Sequence, residues 1–298
     1  MLLVLAFHYS LQYGMIDSPI VLRGDIGVDI FLFLSGFGCF YSLTKKNWLQ
    51  FYKARFKRIY PTFILIEILI FIIDGVLFNK HLSIQQYLIK LSGFSYFING
   101  DLLTWYINAI LILYCITPLL FYCSKYKYLV WICILPYVTP LITFPLEYNW
   151  LDIMNFRIPS FILGFILGKI SYFQEDVKQS KVILTILFIL IIGGSSLLMH
   201  HVFGSMQHNH LRYNIYPALT LAILLICKIL PKSRILDFFG KYSLEIYLIH
   251  PHIFRYFDFI NNFPLFLLTT IILTCIISII IHKIITFFET KHTICNLK

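Results

Sequence analysis

A few ionisable side chains stand inside or beside long apolar runs, and their types and spacing limit what this chain can do. His8 sits in LLVLAFHYS, and Asp25 and Asp29 open the stretch GDIGVDIFLFLSGF. The two acids are four residues apart, so on a helix they share a face. An ionisable group inside an apolar run is costly and is a functional hypothesis by default. An aspartate near a histidine can fix its tautomer and raise its basicity, which is what a general base needs. The competing explanation for His8 is a histidine hydrogen-bonded within a helical bundle, and spacing alone leaves both open.

Other residues invite the same question. Glu245, Tyr247 and His250 lie in SLEIYLIHPHIF, where a buried glutamate needs a partner. Arg157 opens RIPSFILGFILG and either snorkels to the surface or binds an anionic or sugar ligand. Trp105 and Tyr106 begin another apolar run, where an interfacial aromatic belt competes with a binding role. Arg55 and Arg58, in YKARFKRIYP, are three apart and share a helical face. A pair of guanidiniums suits phosphate, although basic residues beside a membrane also serve topology alone. His200, His201, His208 and His210 cluster without an acidic or cysteine ligand, so no metal site is expected. The seven cysteines show no C-x-x-C spacing, which supports neither a zinc site nor a disulfide framework.

These residues are carried on an unusually apolar chain. Of 298 residues 59% are hydrophobic and 13% charged, with a mean hydropathy of +0.81. A soluble domain of that composition has too little polar surface to cover itself, so the expectation is an all-α, polytopic integral membrane protein. The net charge of +10 is assigned to cytoplasmic loops rather than to nucleic-acid binding. Runs long enough to cross a bilayer predict about ten spans, at residues 1–16, 26–43, 60–79, 101–122, 128–144, 158–173, 182–199, 215–230, 238–257 and 264–288. Residues 45–58 read as a basic loop between the second and third spans. Every connection is short, so residues 1–298 read as a single transmembrane domain.

With the N-terminus inside, 18 of the 24 lysines and arginines fall on the inner side. The outer six are Arg23, Lys80, Lys90, Arg157, Arg212 and Arg255. This bias predicts that both termini face the cytoplasm. No basic anchor precedes His8, and no charged n-region or cleavage site marks a secretory signal. The first helix is therefore expected to be the remainder of a longer one.

Taken in order, FHYS, GDIGVDIFLFLSGF and FYKARFKRIYP resemble the opening signature of acyltransferase family 3. LLTWYINAILILYCITPLL, RIPSFILGFILG and GKYSLEIYLIHP resemble its later blocks, so the resemblance runs through essentially the whole chain. The resemblance implies an integral-membrane O-acetyltransferase of about ten helices in the bacterial cytoplasmic (inner) membrane. It makes His8 the proposed catalytic residue and Asp29 the acidic partner of the G-V-D block. It makes Arg55 and Arg58 the basic pair and Tyr247 and His250 the late Tyr-Leu-x-His block. The family's arginine about ten residues before the histidine has no counterpart here.

The resemblance implies acetyl-CoA as the cytoplasmic donor, with no metal. The acceptor it implies is a hydroxyl of an extracytoplasmic or lipid-linked sugar, as in surface polysaccharide. On this reading Arg55 and Arg58 hold the CoA phosphates. His8, oriented by Asp29, acts as base or as transient acyl carrier. Trp105, Arg157, Glu245, Tyr247 and His250 line the acceptor side. Two other classes remain: a non-enzymatic transporter or lipid flippase, which also carries ionisable residues at mid-membrane, and a structural subunit of a polysaccharide synthesis complex, which has no need of His8. No paired halves with interrupted helices of the transporter kind are visible.

Overall fold

The computed structural model describes residues 1–12, 14, 24–80, 82–125, 153–154, 157–173, 208–229 and 231–295. Its ordered elements are helices: α1 (Leu2–Gln12), α2 (Ile26–Lys45), α3 (Trp48–Phe78), α4 (Ile84–Leu91), α5 (Ser95–Asn99), α6 (Trp105–Lys125), α7 (Ile158–Phe173), α8 (His208–Ile229), α9 (Arg234–Lys241), α10 (Ser243–Tyr256) and α11 (Phe263–Cys295). No strand occurs among the described residues. An all-helical architecture suits an apolar solvent, because a helix satisfies its backbone polar groups within one segment.

Four of these helices, within α2, α3, α6 and α11, are long and apolar enough to cross a membrane. Leu2–Gln12, Ile158–Phe173 and Tyr216–Cys227 are apolar but shorter. The spans expected at 128–144 and 182–199 lie outside the described residues. So do His200 and His201, and the side chains of His208 and His210 are not described either.

Two elements differ from the sequence reading. The basic stretch 45–58 is mostly helix. Asn47 starts α3 with a reciprocal cap: its Oδ1 accepts from Gln50 N at 2.9 Å, and Gln50 Oε1 accepts from Asn47 N at 3.2 Å. This is the capping-box arrangement, and it turns the chain into a helix two residues after Lys45. At 31 residues, α3 is about 46 Å long, whereas the hydrocarbon core is about 30 Å thick. The excess of roughly ten residues matches its polar start, so Lys53, Arg55, Lys57 and Arg58 project beyond the apolar part on a rigid helix.

The run expected to be one span at 238–257 is two helices, which meet at Tyr242. Tyr242 has φ −97° and ψ 18°, outside the helical region, and its N–H bonds back to Phe238 O at 3.1 Å. The second piece, α10, has 14 residues and is about 21 Å long, too short to cross a bilayer alone.

The chain folds as two compact units. The first comprises residues 1–24, 53–108 and 231–298. Its apolar core joins Leu5 and Tyr9 of α1 to Ile246 and Phe254 of α10 and Phe266 of α11. The second comprises residues 25–52 and 109–230, with Phe33 of α2, Leu163 of α7 and Leu221 of α8 packed together. Helices α2 and α7 approach backbone to backbone. A Cβ at Gly36 would collide with the Phe161 carbonyl oxygen, and one at Gly164 with that of Phe33. Small residues at such a crossing let membrane helices associate without a hydrophobic driving force.

Candidate functional site

The candidate site of the first unit is built on α1 and α10. Tyr9 fixes α1: its hydroxyl lies 2.5 Å from Thr270 Oγ1 of α11. Thr270 donates to Phe266 O at 2.7 Å, so Tyr9 donates to Thr270. The preceding residue on α1 is His8, half-buried and edge-on to Phe7, with ring centres 5.3 Å apart. The His250 ring, wholly buried on α10, lies 4.9 Å from the His8 ring at an interplanar angle of 59°. His250 Nδ1 is 2.9 Å from Ile246 O. A carbonyl only accepts, so Nδ1 carries the proton and the neutral ring keeps its lone pair on Nε2.

Trp105 enters from the first turn of α6. That turn is fixed by buried polar bonds. Ser95 and Thr104 hydroxyls lie 2.6 Å apart, Tyr96 N donates to Asn108 Oδ1 at 3.2 Å, and Asn108 Nδ2 donates to Thr104 O at 2.8 Å. Tyr106 then packs on Tyr247, with ring centres 4.9 Å apart. His8, Gln12, Trp105, Tyr247, His250 and Arg255 line one pocket of about 400 Å³. With Phe254 and Asp258, which also line it, its wall combines two imidazoles, three large aromatic side chains, one guanidinium and one carboxylate. Imidazoles can exchange a proton with a hydroxyl, and aromatic faces suit an apolar or sugar surface.

Ion pairs and hydrogen bonds brace the edges of this unit. Asp74 of α3 accepts from Arg255 Nη2 with both oxygens at 2.8 Å, and from the Tyr256 hydroxyl at 2.8 Å. Glu67, buried on the same helix, lies 3.5 Å from Lys90 of α4. Glu245 pairs with His282 of α11 at 2.8 Å. The sequence reading missed Glu67 and Asp74. Their signal was present: two acids seven residues apart, on one face of an otherwise apolar run.

In the second unit, Asp29 and Arg157 meet. Arg157 Nη1 donates to Asp29 Oδ2 at 2.6 Å and to Asp25 O at 2.9 Å, while Nη2 donates to Asp25 Oδ2 at 3.0 Å. Ser160 donates to Asp29 Oδ1 at 2.7 Å, and the Tyr216 hydroxyl donates to Asp25 Oδ1 at 2.9 Å. All five residues are buried. Every carboxylate oxygen of the pair has a donor, as buried charges require. Ser160 and Tyr216 were not singled out in the sequence, because a hydroxyl in an apolar run has no periodic signature.

Of the nine candidate residues, His8, Trp105, Tyr247 and His250 share the pocket. Asp29 and Arg157 pair with each other, and Glu245 pairs with His282. Arg55, half-buried, and Arg58, exposed, stand on the polar start of α3. Among the described residues no cluster of histidine, cysteine, aspartate or glutamate could hold a metal ion.

A family model described as an acyltransferase domain, that of acyltransferase family 3, matches residues 1–283. No curated protein and no solved structure matches the chain.

Proposed function

The chain belongs to acyltransferase family 3, and from that premise we propose that it moves an acetyl group from cytoplasmic acetyl-CoA to a hydroxyl of an extracytoplasmic or lipid-linked sugar. The observation that carries this reading is the pocket in which His8 and His250 face Trp105 and Tyr247. A hydroxyl entering it meets a proton acceptor, and a sugar ring meets aromatic faces.

Acetyl-CoA is too large and too charged to cross a bilayer, so its phosphates must stay at the cytoplasmic surface while the thioester reaches inwards. Arg55 and Arg58 suit the phosphate end. They stand on the part of α3 that extends past the apolar core, and their guanidiniums make charge-assisted bonds to phosphate oxygens. His8 acts on the acetyl end, as base towards the acceptor hydroxyl or as its transient carrier. Trp105 and Tyr247 bound the acceptor. In this proposal Asp29 and Arg157 serve the packing of α2 on α7, and Glu245 steadies α10 through His282.

The test is purified protein given radiolabelled acetyl-CoA and membrane-derived glycan. Release of CoA with label in the glycan is the expected result. Well-inserted His8→Gln protein should still bind acetyl-CoA and transfer nothing. A parent protein that releases no CoA would leave the transporter and structural-subunit readings in place.

A further inference from the structure

Two charged side chains on the wall of the pocket, Arg255 and Asp258, are not used by the chemistry proposed for His8. Arg255 is engaged through one nitrogen. Its Nη2 donates to both oxygens of Asp74 at 2.8 Å, and its guanidinium carbon lies 5.3 Å from the centre of the Tyr256 ring. A guanidinium carries five N–H donors. Nη1 donates to no described residue, and the side chain remains 37% exposed.

Asp258 follows α10 in a short turn. Phe257 N–H donates to Ile253 O at 3.1 Å, and Ile260 N–H donates to Phe257 O at 3.1 Å. Phe257 and Ile260 also pack on the apolar core of the unit, so both ends of the turn are fixed. Asp258 itself is exposed, with neither an ion pair nor a hydrogen bond among the described residues. Asp74 therefore offsets the charge of Arg255 and leaves it a donor, whereas Asp258 keeps two acceptor oxygens and a whole negative charge.

We propose that Arg255 and Asp258 select the acceptor, and that they select an uncharged sugar unit with adjacent hydroxyls over an acidic one. The proposal rests on this pocket being the acceptor site of the acyltransferase. Hydroxyls on neighbouring carbons donate to the two oxygens of Asp258, and a further hydroxyl or the ring oxygen accepts from Arg255 Nη1. Trp105 and Tyr247 give the C–H side of the sugar an apolar surface. A uronic acid would set a second carboxylate against Asp258. Arg255 does not compensate, because its charge is already taken up by Asp74.

Matched probes make the test. They are the p-nitrophenyl β-glycosides of glucose and galactose and the corresponding uronides, which differ only in a carboxylate at C6. Equilibrium binding of the radiolabelled probes to purified protein, without acetyl-CoA, should favour the neutral glycosides by about tenfold or more, as expected for like charges at a protein surface. Asp258→Asn should bring the ratio to within about threefold, and Asp258→Lys should reverse it. Asp258 is exposed, so both variants should keep the parent's melting temperature. Arg255→Lys retains a cation for Asp74 but loses the second nitrogen, and should weaken the glycosides while leaving acetyl-CoA binding unchanged.

Equal binding of glycosides and uronides by the parent would overturn the proposal. So would an unchanged ratio in Asp258→Asn, or binding of none of the probes. Transfer of acetyl label to both kinds of probe at equal rates would remove the selection and leave the acetyltransferase reading intact. Selective binding by a parent that releases no CoA would sustain the selection and remove that reading.

Discussion

Asp29 and Arg157 stand 128 residues apart in the chain and meet at 2.6 Å in a buried contact between α2 and the residue just before α7. The pair sits at the end of a helix crossing where Gly36 and Gly164 let the backbones touch. Charge and close packing therefore hold the same two helices.

Removing Arg157 would leave the carboxylates of Asp25 and Asp29 buried without their counter-charge. Breaking a buried pair from one side costs about 3–5 kcal/mol. Arg157→Ala should lower the melting temperature of detergent-solubilised protein sharply. Asp29→Asn should do less, because its amide can still accept from Ser160. Thermal unfolding followed by tryptophan fluorescence checks this, and an Arg157→Ala variant as stable as the parent would show the network to be superfluous.

The glycine crossing gives a sharper structural test. Gly164→Leu has nowhere to put its side chain except into the Phe33 backbone, so α2 and α7 must separate. Gly240→Ala meets nothing within 4 Å and serves as the control. Size-exclusion profiles after membrane extraction should show loss of the monodisperse peak for the first and no change for the second. Equal behaviour of the two would mean that the close approach is not needed for assembly.

Besides a long contact to Leu267 O at 3.4 Å, Tyr9 positions His8 through a short hydrogen bond to Thr270. Tyr9→Phe and Thr270→Val each remove it at a cost of about 0.5–1.5 kcal/mol, with the ring packing on Phe254 and Phe266 retained. Both variants should insert and bind acetyl-CoA but turn over several-fold more slowly. The double variant should be no worse than the poorer single one, since both act on one bond. Additive losses would show that the two residues act separately.

How far the sequence carried the reading depended on the kind of signal. Hydropathy and charge made an all-helical membrane protein legible, and ordered motifs brought out His8, Tyr247 and His250, which the structure gathers at one pocket. The break at Tyr242 was not legible, because both sides of it are equally apolar and a backbone turn leaves no trace in hydropathy. The start of α3 was legible in principle. Asn47 and Gln50 have capping-box spacing, but the cations around them read more strongly as a loop. Partners such as Thr270, Ser160 and Tyr216 became visible only when α11, α7 and α8 were brought against their neighbours. A long-range contact has no local signature.

The orientation can be measured directly. The charge bias places Lys46 inside and Lys80 outside, and both are exposed. In a background with the native cysteines replaced by serine, Lys80→Cys should react with an impermeant maleimide on intact cells. Lys46→Cys should react only after permeabilisation. The opposite pattern would invert the topology and place Arg55 and Arg58 on the side without acetyl-CoA.

The basic pair itself is the last test, because it connects the fold to the donor. Four cations stand on the start of α3, and positive-inside topology would treat them alike. Phosphate recognition would not. A guanidinium offers a planar pair of donors, and Arg55 and Arg58, three residues apart on a rigid helix, offer two of them on one face. Lys45 ends α2, before the turn at Asn47, and does not share that face. Each charged hydrogen bond lost should cost about 1.5–3 kcal/mol, or about ten- to a hundredfold in affinity. Arg55→Ala and Arg58→Ala should therefore raise the Kd for acetyl-CoA by that factor, and Lys45→Ala should leave it within about twofold. Titration of purified protein with a fluorescent CoA analogue reads all three. Adding 3′-dephospho-CoA as competitor tells which phosphate the pair holds, since loss of the contacted group should erase the difference between parent and variants. If all three substitutions give the same small change, the arginines mark only the membrane surface, and the donor binds elsewhere.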